Sequence, residues 1–240
     1  MSTLPLWSWA VALAAVFVGA LVQGMTGSGF GIVVAPVLLL IAPGMVPVTA
    51  LCLAAVVCGL SAWRERRWID RRFVSLAMVA SVPGTAGAYA MLTAVPGGPV
   101  TTAIAVVVII AGVAGLVGAR VPLNTGTTLA AGFVSGAMNF AAALPGPPLA
   151  LTFRGGGAST IRATLSAVFA IMSVLTALGL AVGGRACATD VGNVAVLIVP
   201  VLAGLAVAAP LATRLAPAAV TRSALALSVF AGCVLLVTAR

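Results

Sequence analysis

No histidine and no lysine occur in this chain of 240 residues, and its acids are only Glu65, Asp70 and Asp190. Each absence removes a class of function. The cysteines, Cys52, Cys58, Cys187 and Cys233, form no CxxC pair. With no histidine to join them, the zinc, haem and iron–sulfur ligand patterns are missing, and no metal or other cofactor is expected. A Ser-His-Asp group cannot be assembled, and no paired carboxylates stand ready for acid–base work, so an enzyme is not expected. Cys52, Cys58 and Cys233 read as small buried hydrophobes. Cys187 reads as part of a short loop.

Charge is scarce altogether. Charged residues make up 6% of the chain and hydrophobic ones 62%, whereas a soluble domain carries roughly 25% charged residues. A water-soluble surface cannot be built from this composition, so the chain is expected in a bilayer. Apolar runs recur to its last residue, which a cleaved signal peptide does not explain. The first run, Leu4 to Val22, also lacks a basic leader. The net charge is +9 and all 12 basic residues are arginine. In a soluble protein that balance points to nucleic acid. Here the arginines sit at the ends of apolar runs, which is a topology signal, and no nucleic-acid partner is expected.

A membrane-crossing helix needs about 20 apolar residues. Runs at about 45–63, 73–93, 99–119, 162–183, 191–211 and 220–239 meet this plainly. Two longer regions, 4–41 and 124–153, are interrupted. The first breaks at Gln23-Gly24-Met25-Thr26-Gly27-Ser28-Gly29-Phe30-Gly31 and the second at Leu144-Pro145-Gly146-Pro147-Pro148. Each holds a helix, the break, and a second piece of about a dozen residues or fewer, as a re-entrant hairpin or as two spans. Hydrocarbon tolerates irregular backbone only where protein or a water-filled cavity covers it. Paired interruptions at matching positions in two halves point to a transporter's binding site.

The expected fold is therefore an all-α integral membrane protein with two repeats, 1–120 and 121–240, in one membrane domain. Each repeat has one interrupted region and three transmembrane helices. An odd number of crossings per half inverts the second repeat relative to the first. The arginines agree with this parity. The loop 64–72 carries five of them and is expected to be cytoplasmic. Counting crossings outward puts Arg120, Arg154, Arg162, Arg214 and Arg222 on the same side. Only Arg185 and Arg240 fall outside, and both termini are expected to be extracytoplasmic. Trp7, Trp9, Trp63 and Trp68 suit the ends of spans.

No Asp, Glu, Lys or His lies inside an expected span, so the usual intramembrane proton relay is lacking. What remains is neutral polar chemistry at the breaks. Gly24, Gly27, Gly29 and Gly31 leave the backbone open to an approaching ligand. The helix start after each break offers N–H groups and a positive dipole end, which suits an anion. Thr26 and Ser28 add hydroxyl donors. Ser135 and Asn139, just before the second break, could face the same cavity, while interhelical hydrogen bonds explain Gln23 and Asn139 as well. Pro145, Pro147 and Pro148 make the second break poorer in donors, a wall or hinge. Arg154 reads mainly as a topology anchor. Arg162 opens a helix whose dipole opposes it, which a partner or an anion nearby would compensate.

The stretch Gly24-Met25-Thr26-Gly27-Ser28-Gly29-Phe30-Gly31, with Pro36 after it, resembles the first-repeat motif of the TauE/SafE sulfite exporter family. Gly146-Pro147-Pro148-Leu149, followed by Arg162-Ala163-Thr164, resembles its second. The resemblance spans nearly the whole chain. It implies a cell-membrane permease moving sulfite or small organosulfonate anions outward. On this resemblance Gly146 and Pro147 join the residues above as substrate-binding candidates. The chain departs from the pattern at Pro145 and at Ala141-Ala142-Ala143, where glycines are usual. An anion channel, a lipid-handling protein and a non-transporting membrane subunit are competing readings. Its Gly/Ala-rich helices can pack within one chain or against a second copy, so a homo-oligomer is compatible.

Overall fold

A computed structural model describes residues 5–94, 121–153 and 156–211, together with single positions between 106 and 117 and between 226 and 236. The expected spans 99–119 and 220–239 and the arginines Arg120, Arg154, Arg214, Arg222 and Arg240 lie outside the described residues, apart from those single positions.

Among the described residues the chain is helical, with no strand. The helices are α1 (Leu6–Thr26), α2 (Phe30–Ile41), α3 (Val48–Arg64), α4 (Arg71–Ala94), α5 (Thr125–Ala142), α6 (Gly146–Thr152), α7 (Ala158–Val182) and α8 (Ala188–Leu211). Four helical segments are long and apolar enough to cross a membrane: Leu6–Thr26, Arg71–Met91, Ala158–Val182 and Ala188–Leu211. The interrupted regions divide as expected into α1 and α2, and α5 and α6. Their second pieces are 12 and 7 residues long.

Local chemistry sets the helix ends. Asn124 caps α5: its Oδ1 accepts from the Thr127 N–H at 2.8 Å, and the Thr127 hydroxyl oxygen accepts from the Asn124 N–H at 3.1 Å. Asp70 begins α4 by accepting from the Phe73 N–H at 3.0 Å. The basic loop is a short helical turn, Arg66–Trp68, between α3 and α4. Arg66 stacks over the exposed Trp63 ring with 5.3 Å to its centroid.

Small residues bring the long helices close. Gly132 and Gly136 of α5 lie on the backbone of Ala77 and Ser81 in α4, and Gly84 of α4 lies on Phe133. Gly204 of α8 lies on Phe17 and Ala20 of α1, and Gly24 of α1 on Ala208 and Leu205. Both registers rise together along the two chains, so α4 runs with α5 and α1 with α8. Helix α3 packs against α7 in the opposite sense, since Glu65 just past the end of α3 meets Arg162 near the start of α7. The interior between them is filled by Leu51, Leu53, Val57, Leu165, Val168 and Phe169, all buried.

The main helix pairs are therefore α4 with α5, α3 with α7 and α1 with α8.

Candidate functional site

Helix α1 ends where glycine permits it. Gly27 has φ 77°, a left-handed conformation, and its N–H donates to the Gln23 carbonyl. The chain re-enters a helix at Phe30, with Gln23 holding both ends of the gap. The buried Gln23 donates from Nε2 to the Gly27 carbonyl at 2.8 Å and to Ser166 Oγ of α7 at 3.2 Å. Its Oε1 accepts from the Phe30 N–H at 3.2 Å. The N–H groups of Gly31 and Ile32, in the first turn of α2, have no partner among the described residues. Pro36 lies inside α2 and removes one further N–H.

The second break has the same form with different residues. Helix α5 also ends in a left-handed residue, here Ala143 at φ 54°. A side chain in that conformation costs about 1–2 kcal/mol, which glycine avoids. Pro145 precedes α6, whose first turn is Gly146-Pro147-Pro148. Just before the break, Asn139 Nδ2 donates to Thr176 Oγ1 of α7 at 3.0 Å.

The breaks meet. A Cβ on Gly31 would overlap the carbonyl oxygen of Ala143, and Gly146 faces Ile32. The seam between them encloses a cavity of about 20 Å³, lined by Gly29, Gly31, Gly146, Cys58, Phe169 and Ser173 among others. That volume holds about one water. Ser173 Oγ, which lines it, and Asn139 Oδ1, in the last turn of α5, lack hydrogen-bond partners among the described residues, as do Ser135, Ser8 and Asn193 elsewhere. Buried polar groups are nearly always satisfied.

A second cavity, of about 220 Å³, opens beside the first break. It is lined by Gly24, Ser61, Arg64, Glu65, Arg162, Leu205 and Ala209. Gly27 lies with its backbone against that of Arg162, where a Cβ would overlap the Arg162 Cα. Arg162 is held by Glu65: its Nε donates to Oε2 at 2.9 Å and to Oε1 at 3.1 Å, and its Nη2 also donates to Oε1. Arg64 Nη1 reaches the Leu205 carbonyl at 3.4 Å. The contacts along α7 run from Arg162 through Ser166, Phe169 and Ser173 to Thr176, about 21 Å at 1.5 Å per residue.

The expected site residues thus divide. Gly29, Gly31 and Gly146 meet at the seam, and Gly24 and Arg162 at the open cavity. Gly27 packs on Arg162. Thr26, Ser28, Asn139 and Pro147 line neither cavity. The Thr26 hydroxyl turns back on its own chain, donating toward Val22 O at 2.8 Å and Ser28 O at 2.6 Å, and accepting from the Ser28 N–H. It closes the turn rather than facing a cavity. Of the interhelical bonds weighed for Gln23 and Asn139, both form. Arg154 and Gly155 lie outside the described residues.

The residues missed were Glu65, Ser166 and Ser173. Ser166 and Ser173 lay in an apolar run with nothing to mark them. A signal existed for Glu65, as one of the chain's three acids.

No metal-holding group of three or more His, Cys, Asp or Glu residues occurs among the described residues. No curated protein and no solved structure matches the chain. The family model described as "Sulfite exporter TauE/SafE" matches residues 11–236, almost the full length. With apolar helices long enough to cross a bilayer and glycine breaks that meet inside the bundle, the chain belongs to the TauE/SafE family of membrane transporters.

Proposed function

We propose that this chain is a cell-membrane permease that exports sulfite or a related small sulfur-containing anion by alternating access, driven by the membrane potential. Two inverted repeats, 1–120 and 121–240, rock against each other about the α3–α7 pair. The observation that carries this is the seam: both breaks end a helix in a left-handed residue, and the second piece of the first packs on the turn of the second. The unpartnered N–H groups of Gly31 and Ile32 and the unpartnered Ser173 hydroxyl are donors suited to an oxyanion. At about 20 Å³ the seam is narrower than such an anion, so transport requires it to open. The open cavity beside Arg162 serves as the inner vestibule. The bilayer and the small anion are the partners this reading requires.

Moving one negative charge outward releases about 2.3 kcal/mol per 100 mV, so no buried proton relay is needed. Native protein in proteoliposomes is expected to show saturable sulfite efflux under an imposed potential. Gly27→Leu should lose it, because the side chain would be both strained at φ 77° and driven into the Arg162 backbone. Flux that survives collapse of the potential but stops when a pH or sodium gradient is removed would defeat the potential-driven form. Flux without saturation would instead favour a channel.

The proposed topology puts loop 64–72 in the cytoplasm and the termini outside. Cys187 is exposed in the loop between α7 and α8. A membrane-impermeant maleimide added to intact cells should label it, and Cys187→Ser should remove that label. Labelling only after permeabilisation would invert the topology.

A further inference from the structure

We propose that Glu65 is a tethered stand-in for the transported oxyanion, holding Arg162 until substrate displaces it. The inference rests on the transport reading above and adds a residue to its recognition step.

The vestibule is lined by Arg64, Arg162 and Glu65, two cations against one anion. Arg162 stands in the second turn of α7. Glu65 answers it with both carboxylate oxygens, taking donors from Nε and Nη2 of one guanidinium edge. That fork is the geometry by which arginine binds any planar or tetrahedral oxyanion. The pair is accessible, with side chains 16% and 25% exposed, so an incoming anion can reach it. Glu65 lies just beyond the end of α3, before the turn Arg66–Trp68, so its side chain can swing without unwinding a span.

Gly27 ties this pair to the seam. Its backbone rests on Arg162, and Gln23 crosses from the same break to Ser166, one turn further along α7. Exchange of Glu65 for a substrate anion therefore occurs against the element that must move for the seam to open. With no substrate bound, Glu65 neutralises Arg162, so that guanidinium is not left as an unpaired charge. Among the described residues, Ser159 Oγ, 3.4 Å from Arg162 Nη2, is the remaining polar contact on the guanidinium.

The sign of one substitution tests this. Sulfite binding to the purified full-length protein in detergent is measured by calorimetry, alongside sulfite efflux from proteoliposomes. Glu65→Gln removes the competing charge and should bind sulfite about tenfold tighter, the scale of a lost hydrogen bond to a charged group. Adding Arg162→Gln should abolish the gain. Should Glu65→Gln fail to fold, Glu65→Asp serves, its shorter carboxylate giving an intermediate tightening. An ion pair that only braces α3 against α7 would give the opposite sign, weaker binding in both variants. Unchanged or weaker binding, with efflux by the native protein intact, overturns the role of Glu65 and leaves the transport reading standing. Tighter binding in Glu65→Gln without native efflux upholds Glu65 as the competitor and removes the transport reading. No sulfite binding by native or variant protein, together with no efflux, overturns both.

Discussion

Gly31→Leu is expected to reduce sulfite efflux from proteoliposomes to the protein-free background while the protein still inserts in the membrane. Gly31 stands in the first turn of α2, and even a Cβ there would overlap the carbonyl oxygen of Ala143. The obstacle is backbone at the end of α5, not the tip of a flexible side chain, so it cannot rotate away. The leucine must push the two breaks apart or force α2 out of its seat on α1. Overpacking of this kind typically costs 1–3 kcal/mol or more, which should also lower the thermal transition of the detergent-solubilised protein. Gly31→Ala meets the same oxygen with less bulk and should fall between. Native rates in Gly31→Leu would show that the seam lies off the transport path.

Gln23→Leu should be the most damaging change to stability, by about 2–6 kcal/mol, because two backbone groups lose their partners at about 1–3 kcal/mol each. Leucine fills similar space but offers neither donor nor acceptor. The Gly27 carbonyl keeps no partner for the end of α1, and the Phe30 N–H none for the start of α2. Ser166 Oγ, buried in α7, loses its link across the bundle as well. Gln23, Gly27 and Phe30 are all buried, so bulk water does not replace them. Thermal unfolding monitored by intrinsic fluorescence, compared with Ser166→Ala, separates the local from the interhelical part. Ser166→Ala removes only the bond across to α7 and should cost less than half as much. A loss below about 1 kcal/mol in Gln23→Leu would mean that the break finds other partners.

Much of this architecture was legible in the sequence because it follows from local rules. Runs of about 20 apolar residues must be helices in a bilayer, and both breaks interrupt such runs where glycine and proline interrupt helices anywhere. The basic loop between α3 and α4 and the short second pieces of the interrupted regions appear where the composition placed them. The need of Arg162 for a partner was also legible, since a cation early in a helix opposes the dipole.

The identity of that partner was not. Glu65 and Arg162 are 97 positions apart, and Gln23 and Ser166 are 143 apart. No periodicity within a helix encodes such pairs; they exist because α3 runs against α7 and α1 lies beside both. Thr26 shows the converse. Its hydroxyl looked available for a ligand, yet the turn after α1 leaves Ser28 O within 2.6 Å, and the backbone takes the proton first. Composition and hydropathy alone determined that this chain is a helical membrane protein with two glycine- and proline-broken regions, since a bilayer forces every backbone group to be satisfied within its own segment or by cover. Only the tertiary structure decided that the breaks face each other, that Gly31 rests on Ala143, and that Glu65 holds Arg162, because helix packing sets those contacts between residues far apart in the chain.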